Sequence, residues 1–213
     1  MKKAVSTLTV LFLFAIATPA LAQKFYKGKL IFADGKIMEG FVEPPAKYNT
    51  GKINFKKSLE GEKETYESNA LKSVVIKGPS EDYQFDWGTY MELLSFGRTK
   101  ESKPHWLFVL IKGPVTLYTM GQRIKFKDDE LLMKNDGVIN YYAKRESEKT
   151  ATDIGFYMPN TAGLDADFRS KTSKYFADYP ALAKKIEDQK MKLTDVLTIV
   201  KEYNSWASAR KKK

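Results

Sequence analysis

The segment that most constrains the fold is Trp106-Leu107-Phe108-Val109-Leu110-Ile111, followed by Lys112-Gly113-Pro114 and then by Val115-Thr116-Leu117-Tyr118. A short run with no polar alternation, closed by Gly-Pro, reads as a strand that is apolar on both faces. Such a strand has to be covered on each side, so it belongs in the middle of a sheet, with Leu107, Val109 and Leu117 buried.

The rest of the chain from Phe25 to about Pro159 has the same texture. Leu30 to Ala33, then Asp34-Gly35, then Ile37 to Val42 is a hairpin signal, because Asp-Gly tolerates the positive φ of a type I′ turn. Asn135-Asp136-Gly137 repeats the device and predicts a second hairpin between Leu131-Leu132-Met133 and Val138 to Tyr142. Shorter runs at Ile53 to Phe55, Leu71 to Ile76, Tyr83 to Phe85 and Tyr90 to Phe96 supply further strands. Lys56 to Glu67 and Arg145 to Thr150 read as solvated polar turns.

After Pro159 the period changes. Phe168, Thr172, Tyr175 and Phe176 return at spacings of three and four behind Asp165 or Asp167, which can cap a helix. Asp178 starts a second helix with Pro180 in its first turn. Leu193, Val196, Leu197, Val200 and Tyr203 stripe a third. Strands followed by helices predict an α+β fold: an antiparallel β-rich body with about three C-terminal helices packed on or beside the sheet. The expected organisation is a signal peptide over 1–22, a β-rich region over 23–160, a helical region of the same domain over 161–209, and a basic tail over 210–213.

The signal peptide is read from Met1-Lys2-Lys3, an apolar run from Ala4 to Ala17, the helix breaker Pro19, and Ala20-Leu21-Ala22, which places cleavage before Gln23. The run is shorter than the roughly 20 residues that cross a bilayer as a helix. With no cysteine in the chain there is no lipid attachment site after the cut, no disulfide and no thiol chemistry. The expected location is periplasmic, outer-membrane-associated or extracellular, not as a lipoprotein, and with no transmembrane segment after cleavage. Removing Lys2 and Lys3 leaves 34 basic against 26 acidic residues, a mature charge of +8, half of it in Arg210-Lys211-Lys212-Lys213. In an exported protein this balance fits anionic envelope polymers, lipid headgroups or acidic glycans better than nucleic acid, and the simpler reading, which is preferred, is that excess lysine keeps the protein soluble.

His105 is the only histidine. That excludes serine-histidine-acid and cysteine-histidine sites and every multi-histidine metal site. Catalysis by two carboxylates needs only Asp and Glu; Asp82 and Asp86, four apart on a strand, share a face. Asp128-Asp129-Glu130 reads as a turn, and Asp165-Ala166-Asp167 as helix capping. The lysines after Gly28, Gly35 and Gly51 lack the upstream glycine of a phosphate-binding loop. Trp87, Tyr90, His105 and Trp106 together could form an aromatic platform for a sugar ring or a peptide.

Tyr175-Phe176-Ala177-Asp178-Tyr179-Pro180-Ala181-Leu182, followed by Ile186 and by Val196 to Tyr203-Asn204, resembles the end of a family of uncharacterised secreted proteins of Bacteroidetes. In that family a Tyr-Phe-x-Asp-Cys-Pro-x-Leu segment leads into helices ending in Tyr-Asn. Tyr179 stands where the family usually has cysteine. Gly113 to Tyr118 is similar to the family's Gly-x-Val-x-Leu-Tyr hairpin, and Tyr141-Tyr142 extends the likeness. The resemblance implies export, a β-rich body and a helical end, and it brings no activity.

These readings converge on an exported, non-catalytic cell-envelope protein binding a protein partner or an envelope polymer, with no cofactor. Two alternatives stand beside it: a small glycan-active hydrolase or lyase using carboxylates, and a polyanion or membrane-surface binder acting through the basic tail.

Overall fold

The computed structural model describes residues 25–93, 99–121, 123–127, 130–134, 137–161 and 163–210; the expected signal peptide and the tail beyond Arg210 lie outside them. The strands are β1 (Tyr26–Phe32), β2 (Ile37–Val42), β3 (Lys52–Lys56), β4 (Lys63–Glu67), β5 (Leu71–Lys77), β6 (Asp82–Gly88), β7 (Met91–Leu93), β8 (Thr99–Glu101), β9 (His105–Ile111), β10 (Val115–Thr119), β11 (Arg123–Lys127), β12 (Glu130–Lys134), β13 (Ile139–Arg145) and β14 (Thr152–Tyr157). The helices are α1 (Leu164–Tyr175), α2 (Pro180–Glu187) and α3 (Val196–Arg210). Ten strands make one antiparallel sheet in the order β14-β13-β10-β9-β6-β5-β1-β2-β3-β4, with β7–β8 and β11–β12 as separate hairpins. This is the α+β architecture read from the sequence. Among the described residues no helix is long and apolar enough to cross a membrane.

The first hairpin joins the expected strands, but not through a two-residue type I′ turn: of Asp34 and Gly35 only Gly35 has a positive φ, +90°, and the loop closes with Gly35 N–H to Phe32 O at 3.1 Å and Phe32 N–H to Lys36 O at 2.9 Å. The second hairpin does not form. Leu131 to Met133 pairs with β11, while β13 is hydrogen-bonded to β10 and β14. Local turn chemistry loses here to long-range pairing, because β13 has two neighbours that bury it in the sheet. The polar stretch 56–67 also departs from expectation: its second half is β4, which pairs with β3 at the sheet edge. The charged sequence Lys-Glu-Thr-Tyr-Glu suits an edge, where it discourages pairing with another chain.

Directly paired residues share a face, so the register sorts the side chains. Leu30, Val74, Phe85 and Phe108 lie in register on one face, and Trp106, two residues before Phe108, joins them. These residues, with Val42, Ile53, Phe55 and Ile76, form one buried core. Val115, Leu117, Ala143 and Ile154 bury the other end of the sheet against Phe168, Phe176, Leu182, Ile186, Ile199 and Val200 of the helical region. Leu110 touches both cores and joins them. On the opposite face Leu107, Tyr118, Tyr142 and Ala151 make a third, smaller cluster, flanked by Tyr90 and Val109. Leu107 and Leu117 are buried as expected, whereas Val109 is only half-buried, because the cover on its side is partial.

The first core closes through one segment. Glu43-Pro44-Pro45 takes the chain out of β2, and residues 46–50 cross to β9 and β11. Trp106 N–H donates to Tyr48 O at 2.7 Å, Ile124 N–H to Ala46 O at 2.9 Å, and Tyr48 N–H to Gly121 O at 3.2 Å. The Trp106 side chain, fully buried, donates its indole N–H to Thr50 O at 2.9 Å and to Ser68 Oγ at 3.2 Å. One residue thus holds the strap and the β4 end together.

Asn204 and Arg145 are among the residues that fasten the helices to the sheet. The Asn204 side chain brackets Val115, accepting its N–H and donating to its C=O, both at 2.8 Å. Gly113 leaves room for this, since a Cβ there would collide with the Asn204 amide. Arg145 reaches from β13 to Tyr175 O at 2.6 Å and Asp178 at 2.9 Å, its guanidinium 4.2 Å from the Tyr175 ring centroid. Asp178 also accepts from Tyr203 OH at 2.6 Å. It therefore does not cap α2, whose N-cap is Tyr179 with Pro180 behind it. Asp165 and Asp167 likewise sit in the first turn of α1, behind Gly163 as N-cap.

Replacing Trp106 by Phe is expected to cost about 1–3 kcal/mol, from the lost indole hydrogen bonds and the space left behind, and by Ala about 3–5. Urea denaturation measures both. A Trp106→Phe variant as stable as the parent contradicts the role given to this residue.

Candidate functional site

The face left partly open ends in a cleft of about 360 Å³ lined by Tyr90, Glu92, Asn140, Tyr142, Asp153, Phe156 and Lys171, with Met91 beside them. Its floor is the β13–β14 pair, where Asn140 lies opposite Phe156 and Tyr142 opposite Asp153. Gly155, at φ +147°, takes the irregular turn of β14 and lies against Phe168, where a side chain would crowd that ring. Its N–H donates to Asp153 Oδ1 at 2.8 Å. Lys171 extends from α1 and donates to Asp153 Oδ2 at 2.8 Å, and it pairs with Asp167 at the same distance.

The wall is the chain leaving β6. Tyr90 forms a parallel bridge with Ala151, reinforced by Met91 N–H to Ala151 O and Ala151 N–H to Thr89 O, each at 2.9 Å. Thr89 and Thr150 both donate to Glu101 Oε1, at 2.6 and 2.7 Å, which ties β8 to the same place. The ring of Tyr90 lies 4.6 Å from Tyr142 and 5.5 Å from His105, and His105 lies 5.1 Å from Tyr48. Four rings thus run in a column, with the Tyr90 hydroxyl donating to Glu92 Oε1 at 3.2 Å.

No protein family, curated protein or solved structure matches this chain.

The four aromatic residues singled out in the sequence are neighbours, but they do not make one platform. Trp87 lies opposite Trp106 in register, their rings 5.1 Å apart, on the face of the first core. Trp106 has no accessible surface and offers no ring to a ligand. His105 precedes it on β9 and therefore points to the other face, with Tyr90. Alternation along one strand splits the set. Of the four, only Tyr90 lines the cleft; His105 stands behind it, its Nδ1 buried with no hydrogen-bond partner among the described residues. Burial lowers the His105 pKa below its ordinary value, against the opposing pull of Lys103 O and Glu92.

The carboxylates raised as a catalytic pair are each engaged. Asp82 pairs with Lys77 at 3.4 Å. Asp86 accepts from Ser73 and Gln84 at 2.7 Å and from Tyr118 at 3.0 Å. Of Asp128-Asp129-Glu130, the first two lie outside the described residues and Glu130 starts β12. Of the basic tail, Arg210 is described, lying 4.8 Å over the Trp206 ring. Burial works against the Lys171 charge, but its two aspartates outweigh this and hold its pKa above the ordinary value. The cleft therefore presents fixed hydrogen-bonding groups beside aromatic surface, with Asp153 already committed to an ion pair.

Sequence reasoning missed Glu92, Asn140, Tyr142, Asp153, Phe156 and Lys171 as a group. They come from four elements, β7, β13, β14 and α1, that only the β13–β14 pairing, the crossing at Tyr90 and the packing of α1 bring together. Tyr141-Tyr142 carried a signal as a doublet; the others carried none.

Burial, followed by the charge and hydrogen bond of Glu92, pushes the Tyr90 phenol up from an ordinary 10.0 to about 12. Because the folded value is the higher one, the stability linked to Tyr90 is present below pH 10 and is lost as pH rises through about 12. Absorbance titration of the phenolates is expected to lose a component near pH 12 in Tyr90→Phe. A component lost near pH 10 contradicts the buried placement.

Proposed function

We propose that this chain is an exported, non-catalytic cell-envelope protein that holds a glycan segment of an envelope polymer in the cleft between Tyr90 and Phe156. The observation that carries the reading is the juxtaposition of partly exposed rings with Glu92, Asn140, Asp153 and Lys171. Sugars present C–H faces that pack on aromatic rings and hydroxyls that need both donors and acceptors. The ion pair of Asp153 with Lys171 supports binding over hydrolysis, since a glycosidase needs one carboxyl to protonate the leaving group and the other to attack or activate water. The export pattern over 1–22, the basic balance and the resemblance of Tyr175 to Leu182 to secreted proteins of Bacteroidetes support an envelope location. N-terminal sequencing of protein recovered from the envelope is expected to begin at Gln23; a chain beginning at Met1 refutes export.

Binding is tested by calorimetry with N-acetylated glucosamine oligomers. Phe156→Ala is expected to weaken association about two- to tenfold, the loss of one stacked ring being worth about 0.5–1.5 kcal/mol, with the fold unchanged by circular dichroism. Assays of reducing ends are expected to stay flat. Equal affinity in the variant refutes the cleft, and release of new reducing ends refutes the non-catalytic reading.

A further inference from the structure

The same face of the sheet carries a second concavity. Lys29 pairs in register with Val75, Val75 with Gln84, and Asp86, two residues on, with Leu107. The open face therefore runs from β1 and β5 through the Asp86 hydrogen bonds to the cluster of Leu107, Tyr118 and Tyr142. At its β1–β2 end lies a cleft of about 440 Å³ lined by Lys27, Lys29, Glu39, Phe41, Lys57, Val75, Lys77 and Asp82. Four lysines against two carboxylates leave a surplus of two positive charges. Lys77 is paired with Asp82, and Lys29 stands directly opposite Glu39. Among the described residues Lys27 and Lys57 form no ion pair, and Lys27 lies opposite Phe41 in register.

We infer that this cleft is a binding site for an acidic saccharide, whose carboxylate is held between Lys27 and Lys57 while its ring rests on Phe41 and Val75. Each feature answers a need of that ligand. The ammonium groups of Lys27 and Lys57 meet the anion, the apolar floor meets the C–H face of the sugar, and Glu39 and Asp82 accept from its hydroxyls. An anionic bilayer fits less well. Its plane of headgroups would meet the two carboxylates of the cleft with repulsion, and the binding surface is recessed. The site stands independently of the Tyr90 cleft, and its loss and the loss of that cleft are read by different variants.

The probe is a fluorescently labelled oligogalacturonate, followed by anisotropy, with a neutral oligosaccharide of equal length and phosphatidylglycerol vesicles as the other two arms. The acidic oligomer is expected to bind, and to weaken about tenfold or more between low salt and about 0.5 M, where the Debye length falls to a few Å. The exposed double substitution Lys27→Glu and Lys57→Glu is expected to abolish that binding with circular dichroism unchanged, while Phe156→Ala leaves it intact. A conservative Lys27→Arg and Lys57→Arg pair is expected to retain it. Equal binding of the neutral oligomer, binding that survives the Glu variant, tighter binding to vesicles, or no binding of the acidic oligomer overturns the inference.

Discussion

The junction at Trp106 is the constraint from which the rest of the molecule follows. A sheet of ten strands has two long edges and two faces, and a cysteine-free chain has to manage them with burial, hydrogen bonds and charge, without disulfides. Trp106 answers in one place. Its backbone and indole N–H groups hold residues 48–50, and its ring fills the core that β1 to β6 and β9 line. The Tyr48–Gly121 and Ala46–Ile124 bonds bring β11 over the same core. Each of these backbone groups would otherwise be costly to bury unpaired.

With that face closed at one end by the strap and at the other by α1, α2 and α3, the opposite face is left with partial cover. Among the described residues, the chain around Tyr90 and the β7–β8 hairpin lie over it. The polar residues found there, Ser73, Gln84 and Asp86, satisfy one another and Tyr118. The two clefts are the unfilled ends of this face. One is aromatic and polar, the other lysine-rich, and the division follows from which strands supply each end.

Much of this was legible in the sequence, for physical reasons. The double-sided apolar strand at Trp106 to Ile111 could only be central, and it is. The period change after Pro159 marked the helices, whose buried stripes Phe168–Thr172 and Leu193–Val196–Val200–Tyr203 match the expected spacing. Leu197, expected on the same stripe, is instead exposed and Ile199 is buried, because a 3.6-residue period turns position 197 away from the face that 196, 199, 200 and 203 share. The Tyr175 to Leu182 segment also has a structural account: Tyr175 and Asp178 engage Arg145, Phe176 and Leu182 are buried, and Pro180 opens α2. What was not legible depends on pairing between distant strands. Asn135 to Gly137 advertises a hairpin that β10 and β14 pre-empt, and β4 hides its strand character behind edge charges. The site suffered for the same reason. Trp106 and His105 are neighbours in sequence and therefore on opposite faces, while Tyr90, Asp153 and Lys171 meet only after β14 has found both the bridge at Ala151 and the side of α1.

Hydrogen exchange at the backbone amides of Tyr48, Trp106 and Ile124 tests the central claim most directly. If the strap closes the core, these three amides exchange only through opening comparable to global unfolding, with protection matching that of Val74 and Phe85. In Trp106→Phe the Tyr48 and Ile124 amides then lose protection more than Val74 does. Exchange at Tyr48 and Ile124 as fast as in the exposed 57–62 turn, in the unaltered protein, would contradict the account.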